Sequence, residues 1–345
     1  MEDCIDGTSC PQPNRMRADA LRIAVLIPCY NEAAAIAGVV ADFHHSLPDA
    51  EIYVYDNNSQ DGTGSLASQA GAQVRHETLQ GKGNVVRRMF SDVEADIYVL
   101  VDGDGTYDSA SAPRMIRMLV QNRLDMVNGA RVSSHQAAYR RGHRAGNHLL
   151  SGFVAWIFGN RIGDMLSGYR VFSRRFVKSF PALSSGFEIE TELTVHALEL
   201  RVPLDEMEIP YRERAEGSAS KLRTYSDGLR ILRTIVWLIK QERPLQFFSI
   251  AAAVLFILSC VFSIPILVTY YQTGLVPRLP TAILSMGMML LSFLLLACGL
   301  ILDSVVLGRK EAKRMVYLSI PFLATDCSRQ LLSEDSPAQA KMNVT

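Results

Sequence analysis

Ile97-Tyr98-Val99-Leu100-Val101-Asp102-Gly103-Asp104-Gly105-Thr106-Tyr107-Asp108 decides how this chain is built. An apolar, β-prone run passes directly into a loop rich in carboxylates. A short apolar run bounded by turn residues reads as a buried strand, here Ile97–Asp102. The same join occurs twice upstream. The run Ile23–Cys29 leads into Pro28-Cys29-Tyr30-Asn31-Glu32, and Ile52–Asp56 leads into Asp56-Asn57-Asn58-Ser59-Gln60-Asp61-Gly62-Thr63. Gln73–Glu77 and Asp125–Asn128 are two more short strands, and Ala33–Leu47 and Ser109–Arg123 carry helical patterns between them. Such alternation predicts an α/β fold: a Rossmann-like, mostly parallel sheet with helices on both faces. Ligands of such sheets bind beyond the carboxyl ends of the strands, so all three polar clusters should open on one rim.

The composition changes near residue 245. No charged residue lies between Arg243 and Arg278, or between Arg278 and Asp303. Each stretch meets the length of about 20 apolar residues that a membrane span needs. Arg230, Arg233, Lys240 and Arg243 precede the first, Arg309, Lys310, Lys313 and Arg314 follow the second, and the connecting loop holds only Arg278. The positive-inside rule puts both long ends in the cytoplasm. Pro265 falls inside the first span, where membrane helices tolerate it. Leu149–Ile162 and Leu229–Ile239 are amphipathic; the second is basic and runs into the span, which suits a helix at the membrane interface. The expected division is a tail over 1–20, a catalytic domain over 21–223, an interfacial helix over 224–243, two transmembrane helices over 244–308 and a cytoplasmic tail over 309–345.

The 345 residues carry no net formal charge, which gives no basic face for nucleic acid. The six cysteines show no metal-ligand spacing and read as reduced. The seven histidines form no triad spacing.

Asp102 and Asp104 stand two apart just past a buried strand. Mg²⁺ is held by one or two carboxylates plus substrate phosphates. Gly103 and Gly105 let a phosphate approach the backbone closely. The pair therefore suits a divalent cation, Mg²⁺ or Mn²⁺, bridging to a diphosphate and neutralising charge on a leaving group.

Together the clusters resemble the family 2 nucleotide-sugar glycosyltransferases of GT-A fold. Pro-x-Tyr-Asn-Glu, Asp-x-x-Ser-x-Asp-Gly-Thr and Asp-x-Asp occur in that order, with Gly81-Lys82-Gly83 between the last two. Four motifs in order are strong where one would be weak. The resemblance covers residues 22–223. It implies nucleotide-sugar contacts from Pro28, Tyr30, Glu32, Asp56, Asp61, Lys82, Asp102 and Gly103. Ser167-Gly168-Tyr169-Arg170 and Gly217-Ser218-Ala219-Ser220-Lys221-Leu222 resemble the polyprenyl-phosphate branch, which includes dolichyl-phosphate mannose synthases and bacterial undecaprenyl-phosphate glucosyltransferases. That branch implies an acceptor phosphate held by Arg131, Arg140, Arg141, Arg144, Arg214 and Ser220, with Arg131, Arg214, Lys221 and Asp104 in the catalytic group. For Arg140, Arg141 and Arg144, contact with lipid head groups is an equal reading. The branch often has Gln two residues past the second metal Asp; here Thr106 stands there, so Thr106, Tyr107 or water would be the third ligand. Glu188, Glu190 and Arg170 are expected to orient the sugar. Were the acceptor a hydroxyl, Glu190 would be a natural base.

The resemblance implies inverting transfer of a monosaccharide from a UDP-sugar, or GDP-mannose, to undecaprenyl or dolichyl phosphate, by an integral membrane protein with its catalytic domain on the cytoplasmic face. Two spans per chain are few to be stable alone, which suggests a homo-oligomer, and the resemblance to bacterial relatives implies a tetramer. Two rivals stand beside this reading: a family 2 enzyme acting on a hydroxyl, and a silent membrane anchor that binds nucleotide.

Overall fold

A computed structural model of the chain describes residues 21–132, 152, 162–186, 188–212 and 243–322. The amphipathic segment 229–239, all of 149–162 but residues 152 and 162, both chain ends, and Arg140, Arg141, Arg144, Arg214, Ser220 and Lys221 lie outside the described residues.

The elements are β1 (Ile23–Cys29), α1 (Ile36–Ser46), β2 (Glu51–Asp56), α2 (Thr63–Gln69), β3 (Gln73–His76), α3 (Lys82–Asp92), β4 (Ile97–Leu100), a 3₁₀ turn Ser109–Ser111, α4 (Ala112–Gln121), β5 (Met126–Val132), β6 (Arg170–Ser173), α5 (Arg174–Ser179), α6 (Ile189–Leu200), β7 (Leu204–Pro210), α7 (Pro244–Thr273) and α8 (Leu279–Ser319). Seven strands form one sheet in the order β3-β2-β1-β4-β6-β5-β7. β1 pairs in parallel with β2 and β4, β2 with β3, and β5 with β7. β6 is antiparallel to both of its neighbours, β4 and β5. Six strands therefore point their carboxyl ends at one rim, and β6 brings its amino end, Arg170, to the same rim.

Each strand of the centre is buried on both faces, which explains its unbroken apolar run. Val25 and Ile27 of β1 pack with Ile36, Val40 and Phe43 of α1 and Met115, Ile116 and Leu119 of α4. Ala24 and Leu26 face the other way, onto Val85, Val86 and Met89 of α3 and Ile189 and Leu193 of α6. Ile36, Val39, Val40 and Phe43 are spaced to form one helical stripe, and all four are buried.

α7 and α8 are long and apolar enough to cross a membrane. They pack on each other through small residues, as membrane helices do. Ser259 donates to the Ser285 carbonyl at 2.7 Å and Ser292 to the Ala252 carbonyl at 2.8 Å. Helix α7 runs through Pro265. Helix α8 does not stop at the charged residues expected to open a tail at 309; it continues to Ser319. Arg, Lys, Glu, Ala and Met are good helix formers, so charge ends the membrane-compatible stretch without ending the helix. Its last turns return to the sheet domain. Lys313 pairs with Glu199 at 2.7 Å, and the Tyr317 hydroxyl donates to Asp125 at 2.6 Å. The Arg175 guanidinium, bidentate on Asp125, lies 4.8 Å from the ring centroids of both Tyr317 and Phe322.

Beside this junction lies His196, 2% exposed, with its ring edge-on to Phe176 and Phe180. Burial, with Lys313 adding to it, pushes its pKa down to about 3. The folded protein refuses a proton that the unfolded chain accepts below pH ~6.5. Stability from this group is full above that pH and falls as pH drops, by about 2 kcal/mol at pH 5. Melting temperatures in detergent at pH 7.5 and 5 should therefore diverge more for the wild type than for His196→Leu; equal divergence would remove His196 from the account.

Candidate active site

The loops after β1 and β2 are joined by hydrogen bonds. Asn57 N–H donates to the Cys29 carbonyl at 2.9 Å, Asn31 N–H to Ser59 Oγ at 2.9 Å and Gln60 N–H to Asn31 Oδ1 at 2.9 Å. Asn31 and Asn58 sit at φ 52° and 65°, a region that asparagine tolerates better than most residues. Asp61 Oδ2 accepts from Ala33 N–H at 3.0 Å, and its Oδ1 accepts from Thr63 Oγ1 at 2.5 Å. Burial acts to raise its pKa, but the Thr63 hydroxyl and the amides of Ala33 and Thr63 outweigh it and hold the carboxyl below its usual value. Asp61 thus braces the two loops. Asp56 is buried, with Oδ1 accepting from Ser59 N–H at 3.3 Å and Oδ2 3.5 Å from His76 Nδ1. Pro28 and Glu32 are half-buried and Tyr30 is exposed on this rim.

The next loop is hung on Asn57, a residue whose role its sequence neighbours do not reveal. Its Nδ2 donates to the carbonyls of Glu77 and Leu79 at 2.8 and 2.9 Å, and its Oδ1 accepts from Gly81 N–H at 2.7 Å. Gly81, at φ 128°, and Gly83 press against the carbonyls of Ser185 and Ser184, where a Cβ would clash. Glu192 holds that partner loop by accepting from Leu183 and Ser184 N–H, each at 2.8 Å. Lys82 is thereby fixed at the start of α3 and reaches across the rim. Its Nζ lies 2.5 Å from Asp102 Oδ1 and 2.6 Å from Glu190 Oε1. Burial opposes its charge, yet the two carboxylates prevail, and its pKa stands well above the usual lysine value. The other side of Asp102 abuts Gly168, where a Cβ would collide with Oδ2.

Asp104 is 5% exposed and its Oδ1 accepts from Thr106 Oγ1 at 2.6 Å and from Thr106 N–H at 3.2 Å. Thr106, expected with Tyr107 or water as a third metal ligand, is 1% exposed and its hydroxyl and amide orient Asp104. Among the described residues, no group of three His, Cys, Asp or Glu side chains could hold a metal ion. Asp102 and Asp104 offer hard oxygens, and Asp102 already accepts a cation, the Lys82 ammonium. Two carboxylates completed by substrate phosphates match the way Mg²⁺ is held.

On the far side of the rim, Arg131 binds Asp164 as a fork, Nε to Oδ2 at 2.6 Å and Nη2 to Oδ1 at 2.8 Å, with the Tyr211 ring centroid 5.6 Å from its guanidinium. Arg170 was expected to orient sugar, but it is fully buried beneath the rim. Its guanidinium donates to the carbonyls of Ser167 and Met165 at 3.1 and 2.7 Å and to Thr194 Oγ1 at 2.8 Å. It ties the loop that carries Gly168 to α6. Glu188, half-buried, immediately precedes α6, two residues ahead of Glu190.

The sequence profile of the family described as "Glycosyl transferase family 2" matches residues 24–179. Glycosyltransferase AglJ of Haloferax volcanii is 33% identical over 228 residues, 66% of this chain and 75% of the relative. Dolichyl-phosphate hexose transferase of the same organism is 28% identical over 221 residues, 64% of this chain and 95% of the relative. Among solved structures, glucosyl-3-phosphoglycerate synthase from Mycobacterium tuberculosis, in complex with Mn²⁺, UDP-glucose and phosphoglyceric acid, superposes with a TM-score of 0.51 at 20% identity, covering 64% of this chain and 79% of that one. At that identity the likeness is one of fold.

Proposed function

Since the chain belongs to glycosyl transferase family 2 and is a glycosyltransferase of GT-A-like fold, we propose that it transfers a monosaccharide from a nucleoside-diphosphate sugar to a polyprenyl phosphate, with inversion. The donor is a UDP-sugar, with GDP-mannose second, and the acceptor is undecaprenyl or dolichyl phosphate. The observation that carries this reading is the acidic pair on the rim, Asp102 and Asp104, facing the basic Lys82 and sharing that rim with the Arg131–Asp164 fork. The relative named for dolichyl phosphate supports the acceptor class.

In this reading Pro28, Tyr30, Glu32, Asp56 and Gly103 line the nucleotide side, with Asp61 bracing their loops. Asp102 and Asp104 would hold Mg²⁺ or Mn²⁺, which offsets the charge of the leaving diphosphate. The acceptor phosphate has a second pKa near ~6, so it is mostly a dianion at neutral pH and needs no general base. Its oxygen forms the new bond to the anomeric carbon as the bond to the nucleoside diphosphate breaks, and the electron pair leaves with the diphosphate. Arg131, with Arg214, Lys221, Ser220 and the 140–144 arginines, offsets the acceptor's charge, and Asp164 keeps Arg131 in one orientation. Catalysis is then positioning and electrostatic stabilisation. In the rival reading toward a hydroxyl acceptor, Glu190 would be the base, and its carboxylate would first have to part from the buried Lys82 ammonium at 2.6 Å.

The reading places a catalytic unit over 21–223 and an interfacial helix over 224–243, with α7 and α8 as the spans and the catalytic domain on the cytoplasmic face, in a homo-oligomer. Transfer from radiolabelled UDP- and GDP-sugars to undecaprenyl and dolichyl phosphate, in detergent with Mg²⁺ or Mn²⁺, tests the core of it. A mild-acid-labile glycolipid from one donor is expected. Bound nucleotide with no glycolipid from any donor would overturn the acceptor assignment.

A further inference from the structure

The Lys82 ammonium bridges two carboxylates. Lys82 and Glu190 each have side chains 9% exposed, whereas Asp102 is 29% exposed. Asp102 is thus the more open of the two carboxylates that share the ammonium. The Lys82 backbone cannot retreat, because Gly81 and Gly83 are wedged against the carbonyls of Ser185 and Ser184. Any change of partner is made by the side chain alone. Nζ already lies 2.6 Å from Glu190, so it keeps one carboxylate when it gives up the other.

We propose that Lys82 is a built-in counter-cation that competes with the divalent ion for Asp102, and that Glu190 is a positioning residue that receives the ammonium when the ion binds. The inference rests on the reading of Asp102 and Asp104 as the cation's ligands. Formal charge supports it. Asp102, Asp104 and Glu190 with Lys82 sum to two negative charges, which one divalent ion closes to zero. Without the ion, the ammonium shields Asp102 from its acidic neighbours. With it, the ammonium is released toward Glu190, at the edge where the donor diphosphate arrives.

Substitutions of Lys82 and of Glu190 then have opposite effects on metal affinity. Lys82→Met removes the competitor and one positive charge. Glu190→Gln removes the alternative berth and keeps the ammonium on Asp102. Binding of Mn²⁺ alone, without nucleotide, is measured by the loss of the free-ion electron paramagnetic resonance signal, using the full-length protein in detergent. One unit of charge a few ångströms away, in a partly solvated site, shifts affinity by roughly tenfold. Lys82→Met is expected to bind Mn²⁺ about tenfold more tightly than wild type, and Glu190→Gln about tenfold more weakly. Should Lys82→Met fail to fold, Lys82→Gln must show the same tightening. Unchanged or weaker binding in the Lys82 variant overturns the competition while leaving the metal reading intact. Absence of Mn²⁺ binding in the wild type overturns both.

Discussion

Asp104→Asn is expected to abolish sugar transfer while the protein stays folded and in the membrane fraction. Asparagine is nearly isosteric and retains an oxygen for the Thr106 hydroxyl and amide, the two donors that orient Asp104. What it loses is charge. If Asp104 holds half of the divalent ion's protein ligands, the leaving diphosphate loses its main counter-charge. A drop in kcat of about 10³-fold or more follows from the size of such electrostatic contributions. Radiolabelled transfer gives the rate, and melting temperature with membrane fractionation reports the fold. Turnover near that of the wild type in a folded variant would remove the metal from the mechanism.

Arg170→Met is expected to act on stability. The wild-type guanidinium is fully buried and satisfies Ser167 O, Met165 O and Thr194 Oγ1. Methionine fills much of the volume but supplies no donor, so three buried acceptors lose their partner. Unsatisfied buried groups cost ~1–3 kcal/mol each, with partial relaxation, and a loss of about 3–5 kcal/mol is expected. For a domain of this size that lowers the melting temperature by roughly 10 °C. Arg170→Lys should rescue little, since one ammonium cannot reproduce a planar fork that meets acceptors in three directions. A loss below about 1 kcal/mol would show that the 165–168 loop is held by other contacts. Because Gly168 abuts Asp102, residual folded Arg170→Met should also bind metal less well.

The parts of the molecule legible in sequence are those whose physics is local. Ile23–Cys29 is a strand over the residues expected, because a centre strand buried on both faces is apolar throughout. The rim clusters follow from where strands stop. β6 escapes this logic: Arg170–Ser173 is four residues long and opens with a charged side chain that is nevertheless buried. β7, at the sheet edge, reads Leu-Asp-Glu-Met-Glu-Ile-Pro, with no continuous apolar run. The site divides the same way. Asp102 and Asp104 announce themselves by spacing. Asn57, Asp164 and Glu192 do not, since each works by hydrogen bonds to groups brought near only by the fold. Arg170 and Thr106 are legible as special positions, but their contacts with the 165–168 loop and with Asp104 appear only in the fold.

The junction of Tyr317, Phe322 and Lys313 with Asp125, Arg175 and Glu199 has a meaning for biosynthesis. The ribosome delivers residues 21–212 before this junction, which begins within the last turns of the second long apolar helix. Domains tend to fold from the amino end as they are made. Here the sheet can assemble early, yet Asp125 and Glu199 wait for partners that follow the hairpin. Until residues 313–322 are made, Asp125 lacks the Tyr317 hydroxyl and Glu199 lacks the Lys313 ammonium.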